Sequence, residues 1–167
     1  YLASLFPTLF SFGHYPWILS IGIGILLSLS FPPINASFLS FFGFIGLYQL
    51  VHLSHSYRHL AMISYPAFFV WNLGTTYWLI MASIPAGVAA IIANSAVMLL
   101  PMMVIRFMHH RYRLYVWTAL FQAATWVLYE YLHHHWDLAW PWLSVGNAWA
   151  NHISVIQYIS VTGHLGI

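Results

Sequence analysis

The sequence predicts an all-α fold, a polytopic transmembrane helical bundle with five spans and the start of a sixth, and three observations predict it. Of 167 residues, 62% are apolar and 4% are charged, against roughly 45–50% and about 25% in a soluble domain. Apolar runs approaching the ~20 residues that cover a hydrocarbon layer ~30 Å thick recur between helix breakers. Finally, the only cationic side chains besides His, four Arg, fall in two loops that alternate to the same side. Six charged side chains cannot form the polar shell that a water-soluble core of this size requires, so acyl chains are the solvent that the composition fits.

The elements follow in order. The first span covers residues 17–31 and stops at Pro32-Pro33, which cannot continue a helix; its start is open, since apolar residues extend back past Pro16 toward Leu5. The second covers 36–53, the third 60–82, and the fourth 85–108, where Pro85 suits a first helical position. Pro101 lies inside the fourth and removes one backbone hydrogen bond, a packing kink that neighbouring helices absorb. The fifth covers 114–132, and 153–167 reads as the opening of another helix. All of residues 1–167 form one transmembrane domain. Arg58 lies between the second and third spans, and Arg106, Arg111 and Arg113 lie at or between the ends of the fourth and fifth, which the positive-inside rule assigns to the cytoplasm. The N-terminus then starts inside. The loop 133–151, with Trp136, Trp140, Trp142 and Trp149, is expected along the outer interface, where indoles prefer the headgroup level.

Composition also excludes. With no Cys, this chain has no disulfide, thiolate metal site or thiol nucleophile. It has no Lys either, and a formal charge of +2 without clustered cations excludes a nucleic-acid partner. No stretch reads as a cleaved signal peptide, and a first residue of Tyr rather than Met suggests a piece of a longer protein.

Eleven His residues raise the question of metal, and His133-His134-His135 with Asp137 and His152 is the densest group. Adjacent helical side chains diverge by about 100°, so the triplet offers at most two ligands to one ion. His52, His55, His59, His109 and His110 fall beside the Arg residues at helix ends, where they can cap final carbonyls. No cofactor or metal is therefore expected. Asn72, Asn94 and Gln122 lie inside spans, where amides commonly join helices. Glu130, near the outer end of the fifth span, reads either as an ionised group close to water or as a partner of His133 or His134.

The order of three outer-side motifs resembles one family. Leu29-Ser-Phe-Pro-Pro-Ile-Asn35 closes the first span, Trp71-Asn-Leu-Gly-Thr-Thr-Tyr-Trp78 lies in the third, and Glu130 precedes Trp140-Pro-Trp-Leu-Ser-Val-Gly-Asn147. This set is similar to apolipoprotein N-acyltransferase, and Ile156-Gln-Tyr-Ile-Ser-Val-Thr-Gly163 is similar to that family's entry into its next helix. The resemblance covers nearly the whole chain but about the first third of a family member. It implies a bacterial inner-membrane enzyme that moves an acyl chain from a phospholipid to the α-amino group of a diacylglyceryl-cysteine on a lipoprotein. In the family, a nitrilase-like domain supplies Glu, Lys and Cys for a thioester route. Zero Cys and zero Lys exclude that triad here, so no catalytic residue carries over.

The resemblance leaves a platform that anchors the soluble domain and admits lipid, with phospholipid and, through the missing domain, a lipoprotein as partners. Its motif residues are Phe31, Pro32, Pro33, Asn72, Thr76, Trp78, Glu130, Trp140, Pro141, Trp142, Gly146 and Asn147. The chain departs from the family in using His where Lys usually joins Arg in the cytoplasmic loops. It also carries His133 where a basic residue often follows the Glu-x-x motif, which makes pairing with Glu130 pH-dependent. The competing expectations are a membrane transporter or metal-binding bundle using the outer His cluster, and a purely structural bundle.

Overall fold

A computed structural model describes residues 15–112 and 118–166. Among them every regular element is helical: α1 (Pro16–Ser30), α2 (Leu39–Leu53), α3 (Tyr57–Thr76), α4 (Trp78–Ala82), α5 (Ile84–Val97), α6 (Leu99–Tyr112), α7 (Thr118–His133), α8 (Val145–Ala148) and α9 (Ile159–Thr162), with 3-10 turns at Pro141–Leu143 and His164–Gly166. The N-terminal approach to the first span, Arg113 and residues 114–117 lie outside the described residues.

Local chemistry places the boundaries. Pro16 opens α1 without losing a helical hydrogen bond, and Pro32-Pro33 ends it. Ser56 caps α3, its hydroxyl accepting the His59 N–H at 3.1 Å, so α3 begins three residues before the apolar run at Leu60. The expected third span divides at Tyr77. Just before it, the Thr75 and Thr76 hydroxyls turn back onto the Trp71 and Asn72 carbonyls, a contact that bends helices. The fourth pauses at Met98, because Pro101 has no N–H to give the Val97 carbonyl, yet Ile84–Tyr112 remains one run of 29 residues.

That run is the one helix among the described residues long and apolar enough by itself to cross a membrane; α1 and α2 are apolar but have 15 residues each. The expected helix over 153–167 does not form as such. Residues 153–158 are mostly turns, α9 has a single turn, and Gly163, at φ 70°, takes a left-handed conformation that stops it.

α3 is the hub, packing on α1, α2, α5 and α6, while α7 packs on α6. The core runs through Leu27, Leu47, Leu60, Phe68, Trp71 and Met102. Close packing of α1 on α3 depends on Gly24, where a Cβ would stand 2.6 Å from the Ala67 carbonyl oxygen and 2.7 Å from Val70 Cβ. Loop 133–151, expected along an interface, is partly inside the bundle: Leu143 and Ala148 are buried in the core, while Trp136 and Trp142 stay exposed.

The outer surface is greasy and the interior holds polar groups. Met81, Ile84, Phe41 and Leu100 are each more than 60% exposed, whereas Ser20, Ser30, Ser64, Asn72, Thr76 and Ser95 are fully buried. The buried Ser30 and Ser95 hydroxyls return to carbonyls one turn back, Leu26 and Ile91. At one end of the bundle, Arg106 is buried and caps the end of α2, donating to the Ser54 carbonyl at 2.7 Å and to the Ser54 hydroxyl, with its guanidinium over the Tyr57 ring.

Candidate functional site

The opposite end carries the motifs. Glu130 stands in the last turn of α7, where spacing of four residues brings Trp126 onto the same face. The residue is 7% exposed, and its carboxylate takes three hydrogen bonds. The Trp126 indole N–H donates to Oε1 at 3.0 Å, the Val145 backbone N–H to Oε1 at 2.9 Å, and the Ser144 hydroxyl to Oε2 at 2.7 Å. The loop after Pro141–Leu143 thus folds back over α7 and is latched to it through this one side chain.

Sequence reasoning offered His133 or His134 as the partner of Glu130, and neither makes one of these hydrogen bonds. His133 turns inward, its Nε2 3.0 Å from Asn94 Oδ1. Asn94 Nδ2 donates to Asn72 Oδ1 at 2.8 Å, and Asn72 Nδ2 donates to the Phe68 carbonyl at 2.9 Å and to Met98 Sδ at 3.1 Å. The polarity of this chain is forced. The Phe68 carbonyl only accepts, so Asn72 must present its NH2 there and its oxygen to Asn94. Asn94 must then present its NH2 to Asn72 and its oxygen to His133, which leaves His133 to donate from Nε2. One backbone carbonyl in α3 therefore sets a histidine tautomer in α7.

His134 lies beside Glu130 and places its Nδ1 3.4 Å from His164 Nε2. Burial pulls its pKa below the usual value; Glu130 opposes that shift, and His164 and His135 add to it. His135 turns to the Tyr131 carbonyl. The triplet therefore diverges toward three different partners, and among the described residues no group of three His, Asp or Glu is placed to hold a metal ion.

The remaining motif residues sit around this core. Phe31 is buried against Trp71, with ring centroids 5.7 Å apart, and Trp71 stacks on Trp126 at 5.9 Å. Pro32 and Pro33 are exposed on the following turn, which docks onto the other motif: Asn151 Nδ2 donates to Asn35 Oδ1 at 2.7 Å, and the Ser37 hydroxyl donates to the Ala148 carbonyl. Trp78 meets Trp142 edge-on at 5.5 Å, and Trp140 meets Trp142 at 5.2 Å. Asn147 Nδ2 folds back to the Pro141 and Trp142 carbonyls at 2.8 and 3.2 Å. Asn72 and Thr76 lie inside the bundle, and Asn72 reaches this end through Asn94 and His133.

Beside Glu130 opens a cavity of about 310 Å³, mostly apolar, between α2, α7, α8 and the last turns. Phe41, Phe44, Trp126, Val127, Trp149 and Ile156 line it, with Gly146 on its wall and Ser40, Gln122, Glu130, Tyr158 and His164 as polar groups. Its volume lies at the low end of the ~300–1,000 Å³ typical of ligand sites, and an apolar wall with few polar groups is their usual character. Trp126 and Ser144 were not singled out from sequence. The signals were the spacing of four between Trp126 and Glu130, and the place of Ser144 within a motif already noted.

The apolipoprotein N-acyltransferase of Chlorobaculum tepidum is 28% identical over 161 residues, covering 91% of this chain and 29% of that protein. The chain thus spans less than a third of the relative's length. No solved structure matches it. The model of the apolipoprotein N-acyltransferase N-terminal domain matches residues 23–167, and the chain therefore belongs to the apolipoprotein N-acyltransferase family, as its N-terminal domain.

Proposed function

We propose that this domain is the membrane platform of an apolipoprotein N-acyltransferase, and that the apolar cavity beside Glu130 receives an acyl chain of the phospholipid donor. The chemistry itself, acyl transfer through a thioester to the α-amino group of a diacylglyceryl-cysteine, belongs to a nitrilase-like domain with Glu, Lys and Cys. This chain contributes the lipid-facing wall and the anchor. The cavity carries the reading: it is mostly apolar, about 310 Å³ in volume, and set among the motif residues at the end of the bundle opposite Arg106.

The membrane setting rests on the inverted surface, with large apolar side chains outside and hydroxyls and amides within. Soluble monomers rarely expose apolar patches beyond a few hundred Å². In this reading five segments, at α1, α2, α3 with α4, α5 with α6, and α7, cross a bacterial inner membrane. The Arg end and the N-terminus face the cytoplasm, and loop 133–151 faces outward. The 15 residues of α1 and of α2 span about 22 Å, a mismatch that a bilayer absorbs at fractions of a kcal/mol per Å.

Lipid retention tests the cavity. Native mass spectrometry of the detergent-purified chain should find a bound phospholipid, and Ala123→Trp, which fills the cavity from α7, should weaken it. Excluding even two methylenes costs about 1.6 kcal/mol, roughly tenfold in affinity. Equal retention by wild type and variant would refute the assignment.

A further inference from the structure

Among the described residues, Arg58, Arg106 and Arg111 gather at the end of the bundle away from Glu130, and no side chain of this protein neutralises them there. The sequence has two carboxylate side chains, Glu130 and Asp137, and these lie in the last turn of α7 and the loop after it. The fourth Arg, Arg113, lies outside the described residues. Arg106 is 5% exposed, with its guanidinium 5.4 Å above the Tyr57 ring and its Nε buried without a hydrogen-bond partner. Through Ser54 it closes the C-terminus of α2, where the helix dipole favours a cation, and Arg111 in the last turn of α6 is favoured in the same way. Arg58 is not. It stands exposed in the first turn of α3, where the dipole opposes a cation, so its own helix does not account for it.

The backbone around Arg58 is held in one form. The Ser56 hydroxyl accepts the His59 N–H at 3.1 Å, and His59 Nδ1 accepts the His55 N–H at 3.2 Å, a reciprocal pair like a capping box with His in place of Glu. A ring whose Nδ1 accepts carries its proton on Nε2, so His59 presents a donor there. His55 stacks parallel on it, with ring centroids 4.8 Å apart. Met62, one turn along α3 from Arg58, and Phe107, next to Arg106 on α6, are exposed apolar side chains.

We infer that the turn joining α2 to α3, residues 54–59, is a binding site for a phosphate anion: Arg58 meets two of its oxygens, His59 donates from Nε2, and Arg106 adds a fixed charge from behind. The planar guanidinium suits a bidentate phosphate contact, and a bound anion also offsets the cost of a cation at the start of α3. Two sources share this chemistry, the headgroup of an anionic phospholipid and free phosphate. Met62 and Phe107 favour the lipid, since they offer its acyl chains an apolar surface below the headgroup. The site shares only the membrane setting with the proposed function and is separate from the cavity beside Glu130.

Competition binding on the purified chain in one neutral detergent at low ionic strength tests this, with phosphatidylglycerol and phosphatidylcholine of identical acyl chains and with inorganic phosphate. One cation close to an anionic headgroup is worth about fivefold, so the wild type should prefer phosphatidylglycerol by about that factor or more. Arg58→Gln should bring the preference to within about twofold of none while melting no lower than wild type, because it removes a cation from the unfavourable end of a helix dipole. Arg111→Gln should keep the preference within about twofold of wild type. Displacement of phosphatidylglycerol by excess inorganic phosphate identifies the anion alone as sufficient, and a preference that phosphate does not displace identifies the lipid. Equal losses in the two variants would reduce the effect to general surface charge and overturn the site, as would equal binding of both lipids with no effect of phosphate. Ala123→Trp reads the other cavity separately: it should weaken both lipids alike and leave their ratio at the Arg58 site unchanged.

Discussion

At the residue scale, the informative unit is the chain His133, Asn94, Asn72, because a single carbonyl orients all of it. Nitrogen-15 NMR of the His133 ring should report the neutral form protonated at Nε2. Asn94→Leu would leave the His133 donor and the Asn72 acceptor unpaired inside the bundle, and should cost about 1–3 kcal/mol of stability and release the tautomer preference. A variant as stable as wild type would show that the chain is incidental.

His134 gives a pH dependence whose sign is fixed by geometry. Its folded-state pKa lies below the ordinary value of 6.5, burial being the main cause. The group then binds protons less readily folded than unfolded, so its contribution is complete above about pH 6.5 and is lost as pH falls below that value. Thermal denaturation in detergent should therefore show lower stability at pH 5.5 than at pH 7.5, with a smaller difference in His134→Gln. An unchanged difference would assign the effect to other histidines. Glu130 and the histidines after it invite pairing along one helix, and of the partners of Glu130 and His133 only Trp126, one turn back on α7, lies at a spacing the sequence could show. The others come from residues 14 to 39 positions away, joined only when α3, α5, α7 and loop 133–151 meet.

At the scale of elements, the sequence does well where apolar runs meet strong breakers. Pro32-Pro33 and Pro85 mark the ends of α1 and α5 within a residue or two of their observed places. It does less well where local hydrogen bonding interrupts a uniformly apolar run, as at Tyr77 after two threonines and at Met98 before Pro101, since hydropathy is blind to both. Loop 133–151 shows another limit: its tryptophans suggest an interface, but Leu143 and Ala148 bury themselves in the core and make the loop a cover over the helix ends. Contact between α1 and α3 depends on the missing side chain at Gly24. Gly24→Ala should push against the Ala67 carbonyl and Val70 and destabilise the bundle by about 1–3 kcal/mol in a denaturant or thermal titration. No effect would mean that α1 shifts freely, and that its packing does not position the Phe31 turn.

For the whole molecule, an apolar core that also holds hydroxyls and amides, a surface of large apolar residues, and Arg58, Arg106 and Arg111 at the end away from Glu130 form one consistent account. The function proposed for this domain, a lipid-solvated platform with its cavity at the outer leaflet, draws on all three features. Composition and apolar runs lead to the all-helical class that the structure shows, and the proposed lipid solvent rests on the same composition. The cavity and the latch on Glu130 need the folded arrangement, because no local pattern encodes the space between α2, α7 and α8. The chain contains no Cys, so any introduced cysteine is its sole thiol. The most direct measurement is labelling of Leu138→Cys and His110→Cys by a membrane-impermeant maleimide, in spheroplasts and after lysis. Leu138→Cys should label from outside and His110→Cys only after lysis; the reverse pattern, or equal labelling of both before lysis, would contradict the account.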